Sequence, residues 1–538
     1  MTRRFTDTAA IATLILLDVV LYRKVLRLWW TYDDLYLLHI ALANRPAQYF
    51  TDVHLWHSMP GHMFVPLLPG TYDLLLTLLG LTPARWHSAQ IVFVFSAALS
   101  WYLALRLWFP IRLALVGTIL FLSGVPMCSL AAEPMLMHYL ESFTLGALST
   151  ICYVLALRRS SNWFAILSAV AYLAAILAKE IVVPLPAILL LLPENSVRNR
   201  LLNLIPAGVA MATYVVWRVI LLGTSVGGYG WAVTARDIPA LLVSLPLKFL
   251  HAVGGPRSSV AAILIAVIAT GAAIALWKRR LFLVTGTTLV LAIAPIIPVS
   301  KEMQPRYALM TWALLCVLFV VGCGALRNMA ASKLLAFAGI TIALVANRQE
   351  WRHEYANDLR MSIEGKAFLE LPPNALLRNP MVPSAAMGEL RWLREQHLRL
   401  GPSPGWFYDD LFLCLNAGEQ QIWSFDSHAR KVVNVTSPMR IERQRYCGAV
   451  TDLPLSITFR YRDGVLSWHF GPYRDGSWRI VIGGGAIAFD VASQDGVRFP
   501  DFPGMSLRAR YTSPKGAITY SPELPLSFAK GSDFEWHR

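Results

Sequence analysis

The chain has 538 residues, 56% of them hydrophobic and only 15% charged, with a net charge of +15 and a mean hydropathy of +0.49. A soluble globular chain carries roughly 25% charged residues, so this composition excludes an ordinary soluble domain and points to an integral membrane protein. The positive charge sits in short clusters between apolar runs, which marks membrane topology, and no nucleic-acid partner is expected.

The first segment, Met1 to Arg4 followed by Ala9 to Leu17, has the shape of a secretory signal. Arg23, Lys24 and Arg27 follow in place of a small-residue cleavage site, so it reads as a retained first span. A span needs about 20 mostly apolar residues. Candidates fall at about 8–26, 88–108, 112–130, 138–157, 163–179, 181–193, 201–222, 258–277, 281–299, 307–326 and 333–347, about eleven transmembrane helices. Arg3/Arg4, Arg106/Arg112, Arg158/Arg159, Arg198/Arg200, Lys278/Arg279/Arg280 and Arg327/Lys333 then share one side, which the positive-inside rule makes the cytoplasm. Arg23, Lys24 and Arg27 are the exception, either anchors to lipid phosphates or a mark against the first span. An odd count places the N-terminus in the cytoplasm and the tail outside, in the periplasm for a bacterial inner membrane. Loops 28–87, 131–137, 223–257 and 300–306 share that outer side with the Lys179-Glu180 corner.

The expected domains are a transmembrane region 1–347, a helical connector 348–404 and a periplasmic β-rich domain 405–538. The connector carries a helix from Ala385 to Leu400. Beyond about 405 the period changes to two. Leu455–Tyr461 and Val465–Phe470 read as a hairpin around Asp463-Gly464. Arg479–Ile482, Ala486–Asp490 and Ser506–Tyr511 continue the alternation, which predicts a small β-sandwich. Gly483–Gly485 reads as a turn. Trp406, Trp423, Trp468 and Trp478 suit a sugar-binding face or a core equally well. Cys414 and Cys447 lie in the tail and would be a disulfide in the periplasm or two buried thiols.

Within this frame the charged residues near apolar segments are the candidates for chemistry. Asp33 and Asp34 open a predicted helix, Asp34 to Ala43. One aspartate suits a helix N-cap; a pair also suits a general base and an orienting neighbour. Lys179 could bind a phosphate oxygen beside Glu180, or snorkel as a charge pair at a helix end. Lys301 and Arg306 could hold a phosphate head group with Tyr307 beside them, against the alternative of a plain loop. Glu133 and His138 flank Pro134 in a short outer loop and are further candidates for substrate binding. His54, His57 and His62 match no zinc spacing, and Pro60-Gly61 breaks any helix that would align them. Asp18, inside the first span, is expected to turn toward a polar partner.

The first span, the outer loop with Asp33-Asp34, the run Pro66–Gly80 with Pro83, and the Lys179-Glu180 step together resemble the GT-C glycosyltransferases, over about residues 5–350. Relatives of this kind include protein O-mannosyltransferases and aminoarabinose transferases. The resemblance implies an inverting hexosyl- or pentosyltransferase. It would move a sugar from a polyprenyl-phosphate donor to a periplasmic glycan, lipid or protein. Asp33 or Asp34 would be the base, and Lys179, Lys301 and Arg306 would face the leaving phosphate. Lipid-monophosphate donors imply no cofactor and favour a metal-free site, although a divalent metal is used by the oligosaccharyltransferases. The alternatives are a transporter or flippase of a lipid-linked saccharide, or a glycan ligase. The charges cluster at one face and no repeated halves stand out, which favours the enzyme.

Overall fold

The computed structural model describes residues 2–59, 63–224, 238–254, 287–297, 303–416, 420–448, 453–462, 465–498, 506–525 and 534–537. The expected span at 258–277, the ends of the one at 281–299, and residues Pro60, Gly61, His62, Lys278, Arg279, Arg280 and Lys301 lie outside the described residues. The chain is mostly helical with a β-rich C-terminal region. It divides into two compact units: Met1–Leu28 with Tyr36–Asp358, and Trp29–Leu35 with Leu359–Arg538.

The first unit is built from helices. Among the described residues, Pro83–Leu105, Pro134–Arg159, Val197–Leu222, Pro305–Ala325 and Met329–Glu370 are long and apolar enough to cross a membrane. Ile111–Leu122 and Val125–Ala132 add a sixth if the pair, bent by 57°, is one span. The expected span at 181–193 differs: a short turn, Glu180–Val182, leads to a helix of only six residues, Leu185–Leu190. Pro184 and Pro186 remove backbone donors there and restart the helix. The neighbouring helices Met137–Arg159 and Asn162–Ala178 are joined by Ser149 and Ser168, whose hydroxyls each donate to the other's carbonyl at 2.9 Å. In apolar surroundings such interhelical bonds supplement small-residue packing.

The bend at Ser123-Gly124 interrupts the helical ladder, and three other helices recap it. Tyr22 donates to the Leu122 carbonyl at 2.7 Å, Trp312 to Phe121 at 3.0 Å, and Asn347 to Gly124 at 3.3 Å. Only glycine fits at 124, because a Cβ there would stand 2.1 Å from Trp312 Nε1.

The second unit contains three sheets. β1 (Ala375–Arg378) lies parallel between β2 (Gly405–Phe407) and β3 (Gln421–Asp426), with β4 (Lys431–Asn434) antiparallel on β3. This small sheet buries Leu376, Phe407 and Ile422 with Leu413 and Met439 from the helices Leu411–Leu415 and Thr436–Gly448. A disulfide joins those two helices through Cys414 and Cys447, with Cα atoms 5.8 Å apart. The sequence suggests an end to the last span at Asn347 and a separate connector. Instead Met329–Glu370 is one helix, and β1 from the connector pairs with strands beyond 405. The expected helix from Ala385 is present as Ser384–Trp392 with a wider turn to His397.

β5 (Ser456–Arg462) and β6 (Val465–Gly471) form the expected antiparallel pair; the turn between them lies outside the described residues. β13 (Phe534–His537) and β9 (Gln494–Arg498) flank them, giving the order β13-β5-β6-β9. The other sheet runs β11 (Ile518–Tyr520), β10 (Ser506–Thr512), β7 (Ser477–Ile482), β8 (Ile487–Val491), with β12 (Leu524–Pro525) also on β10. Alternate residues of both sheets enter one core, including Phe459, Trp468 and Phe470 from one and Trp478, Ile480 and Leu507 from the other. Trp468 and Trp478 are therefore core residues.

A buried carboxylate ties the small sheet to this core. Asp409 receives Arg510 at 2.7 Å and the Tyr520 hydroxyl at 2.7 Å. Burial, then the Asp409 carboxylate, pushes the Tyr520 hydroxyl far above the usual phenol range.

Candidate functional site

The most concentrated polar group in the first unit forms where the helix Asn162–Ala178 ends. Lys179 leaves helical geometry (φ −161°, ψ 139°), and its side chain, only 7% exposed, turns among apolar and aromatic neighbours. Its ammonium lies 3.1 Å from Met63 Sδ, 5.0 Å from the centre of the Tyr139 ring and 3.9 Å from a Glu180 oxygen. A cation over an aromatic face gains electrostatic attraction while keeping hydrogens to donate. The Lys179 carbonyl accepts from Ser142 at 2.9 Å, which fixes the corner against Met137–Arg159.

Glu180 has a stronger partner than Lys179. The Arg218 guanidinium, 2% exposed, donates directly to Glu180 and also to the Tyr214 hydroxyl at 3.0 Å. Burial pushes the Glu180 carboxyl up, yet Lys179 and Arg218 outweigh it and hold the group below the usual carboxylate range. Arg218 therefore neutralises the glutamate, and the Lys179 ammonium keeps donor capacity for another anion.

Tyr139 connects this corner to the next candidates. Its ring lies 4.6 Å from that of His138 and 6.3 Å from that of Tyr307. His138 is buried and its Nδ1 sits 2.8 Å from the Met135 carbonyl. The Arg306 guanidinium stacks over Tyr307 at 5.4 Å and acts electrostatically on His138, Tyr139 and Glu354. Glu133, buried at the end of Val125–Ala132, offers a carboxylate oxygen within 4.8 Å of oxygens from Glu354 and Asp358. Thus Lys179, Glu180, His138, Arg306, Tyr307 and Glu133, scattered over the sequence, belong to one linked polar region of the first unit. Lys301 lies outside the described residues.

The aspartate pair belongs to the second unit. Asp34 is fully buried, and its carboxylate receives the Thr31 backbone N–H at 3.0 Å. Asp34 is the first residue of the helix Asp34–Ala43, so this bond pins the turn that leads into the helix. Asp33 is exposed. The two aspartates are thus chemically unlike.

An apolar cavity of about 340 Å³ adjoins the polar region in the first unit. Phe143, Leu185 and Met310 line it about one helical turn beyond Tyr139, Glu180 and Tyr307. Trp101, Trp108, Leu192 and Val321 carry the lining toward the other ends of the helices. From Met310 to Val321 a helix rises roughly 16 Å. Trp108 there donates to Glu194 at 2.7 Å, and Glu194 also pairs with Arg158 at 2.5 Å.

Sequence reasoning missed Arg218, Tyr139 and the Glu354/Asp358 pair. Arg218 stands as a lone cation near the end of an apolar helix, and that isolation was its signal. Glu350, Glu354 and Asp358 recur every fourth residue, a spacing that puts acids on one helix face. No protein-family model matches the chain, and no curated protein matches it in sequence.

Proposed function

We propose that this protein is a membrane-embedded glycosyltransferase. It moves a sugar from a polyprenyl-phosphate donor to a periplasmic acceptor at the outer face of the bacterial inner membrane. The observation that carries the reading is the cationic corner of Lys179 and Arg306 beside an elongated apolar cavity. A donor with a phosphate on a long hydrocarbon chain has that division of chemistry. The cavity takes the first part of the chain, and the ammonium and guanidinium take the phosphate oxygens. Glu180, held by Arg218, orients Lys179, while Tyr307, His138 and Glu133 are available to the sugar.

The acceptor oxygen attacks the anomeric carbon as the sugar–phosphate bond breaks, with inversion and no covalent enzyme intermediate. The acceptor proton goes to a carboxylate, and the bond electrons go to the departing lipid phosphate. Between the two aspartates the base role falls to Asp33, because Asp34 is buried and bonded to Thr31. About eleven spans, a cytoplasmic N-terminus and a periplasmic tail with a β-sandwich complete this reading. The shared core of the two C-terminal sheets supports the sandwich.

The test is transfer by purified protein in nanodiscs supplied with radiolabelled polyprenyl-phosphate sugars. Wild type should release lipid phosphate and label an acceptor. Asp33→Asn should lose transfer while remaining folded and still binding donor, and Lys179→Ala should bind donor at least tenfold more weakly. An intact donor under all conditions, with lipid-linked sugar crossing liposome bilayers instead, would replace the enzyme with a transporter.

A further inference from the structure

We propose that Arg23, Lys24, Arg27, Arg348 and Arg352 bind the phosphate of an anionic phospholipid whose acyl chains lie along the two helices that carry them. All five side chains are exposed. Arg23, Lys24 and Arg27 share one short turn, Arg23–Arg27, directly after the helix Thr2–Tyr22. Arg348 and Arg352 are four residues apart in Met329–Glu370, so they share a helix face. The two groups, distant in sequence, meet in space. The Lys24 ammonium lies 5.9 Å from the centre of the Tyr355 ring, one turn beyond Arg352. Trp351 stacks on Tyr355 at 5.7 Å and meets Tyr22 edge-on at 5.6 Å, and the Asn347 amide donates to the Tyr22 hydroxyl at 3.1 Å.

The surface leading up to these cations is the second observation. On both helices it is apolar and exposed. In the first, Ile15, Leu16, Val19 and Val20 are between 42% and 65% exposed and end at Arg23. In the last, Leu334, Phe337 and Val345 are exposed on the face that continues to Arg348 and Arg352. From Leu334 to Val345 a helix rises roughly 16 Å. One leaflet of hydrocarbon is about 15 Å deep. The cations therefore begin where hydrocarbon gives way to lipid phosphates.

Charge complementarity selects the occupant. Glu350 and Asp358, on the same helix, are buried and turn inward, which leaves the outward face cationic. Among the described residues none of the five cations is salt-bridged to a carboxylate. Guanidinium groups bind phosphate oxygens through paired N–H donors, and basic clusters at the ends of membrane helices attract anionic lipids. A soluble phosphate would use the cations and leave the apolar stripes unused. A zwitterionic lipid would bring a repelling cation of its own. In the expected orientation this end is the outer one, where the positive-inside rule disfavours Lys and Arg, so topology does not account for them. The site shares no residue with the donor site proposed above and does not depend on it.

The experiment uses the full chain in detergent, stripped of lipid, with binding read by native mass spectrometry and stability by melting. Cardiolipin, phosphatidylglycerol, phosphatidylcholine and soluble glycerol phosphate would be titrated in turn. Wild type should hold the two anionic lipids about tenfold more tightly than phosphatidylcholine and melt higher in their presence, and glycerol phosphate should not displace them. Each cation at such a surface contributes roughly fivefold in affinity, so Lys24→Gln/Arg27→Gln and Arg348→Gln/Arg352→Gln should each weaken anionic-lipid binding by about tenfold or more. The substituted side chains are exposed, so without lipid both variants should melt as wild type does. The two pairs lie in different helices, and misfolding of one variant leaves the other as the test. Arg112→Gln/Arg198→Gln removes two exposed cations elsewhere in the first unit and should bind as wild type does. Phosphatidylcholine held as tightly as the anionic lipids, or an equal loss in the Arg112/Arg198 variant, would reduce the cluster to general surface charge and overturn the site. Displacement by glycerol phosphate would overturn it in favour of a soluble anion. Sugar transfer enters none of these readouts.

Discussion

Glu180 and Arg218 illustrate what a buried charge requires at the scale of single residues. Arg218 is almost wholly enclosed, so removing its partner leaves a guanidinium in an apolar interior. Breaking such a pair from one side costs about 3–5 kcal/mol. Glu180 is a quarter exposed, which places Glu180→Gln near the lower end. Because the folded state holds the Glu180 carboxyl below its ordinary range, its contribution is complete above that range. It is lost as pH falls through the depressed value. Melting in nanodiscs across the acid range should therefore decline more gently for Glu180→Gln than for wild type, from a lower starting point. The Lys179-Glu180 step was legible in the sequence because a charge pair between apolar runs demands an explanation. Arg218 was not, since nothing in one dimension says which acid a lone cation meets. Asp34 was legible as both cap and catalyst, and only its burial against Thr31 separates it from Asp33.

At the scale of elements, close approach and covalent linkage dominate. Gly124→Ala would drive a methyl into Trp312 and disturb the carbonyl that Asn347 caps. Overpacking of this kind costs about 1–3 kcal/mol, readable as a lower unfolding temperature of the detergent-solubilised protein. In the second unit, Cys414 and Cys447 close a loop across a sequence separation of 33. On the chain-entropy estimate such a loop contributes about 3–4 kcal/mol. Reductant, or the double variant Cys414→Ser/Cys447→Ser, should lower the melting temperature by the same amount, and reductant should not affect the double variant. The hairpin β5–β6 was readable from period-two alternation alone. The parallel trio β2-β1-β3 was not, because its strands are three to six residues long and its partners are brought together by intervening helices. The bend at Gly124 looked like an unbroken apolar run, since hydropathy carries no record of backbone direction.

For the whole molecule, composition alone identified a membrane protein, and the apolar helices bear that out. The division into units was less legible. The sequence marks an end at Asn347 where hydropathy falls, but helix geometry does not depend on hydropathy, and the helix continues to Glu370. Topology is the prediction that belongs at this scale. Impermeant thiol reagents should label single cysteines placed at 33 or 430 from the outside of intact cells, and should miss one placed at 159. Labelling at 430 only after permeabilisation would put the tail in the cytoplasm and remove the proposed site from the compartment of its donor.

The bend capped by Tyr22, Trp312 and Asn347 also bears on how the chain is made. A ribosome delivers residues 111–132 long before 312 and 347. During that interval the carbonyls of Phe121 and Gly124 keep only their local backbone donors, the N–H groups of Gly124 and Cys128, and lack the bonds from Trp312 and Asn347. The nascent bend is held by local bonds alone until the last helices emerge. Chains truncated ahead of Trp312 should therefore be short-lived in the cell, cleared by membrane proteases, even though they contain the apolar helices Pro83–Leu105, Pro134–Arg159 and Val197–Leu222.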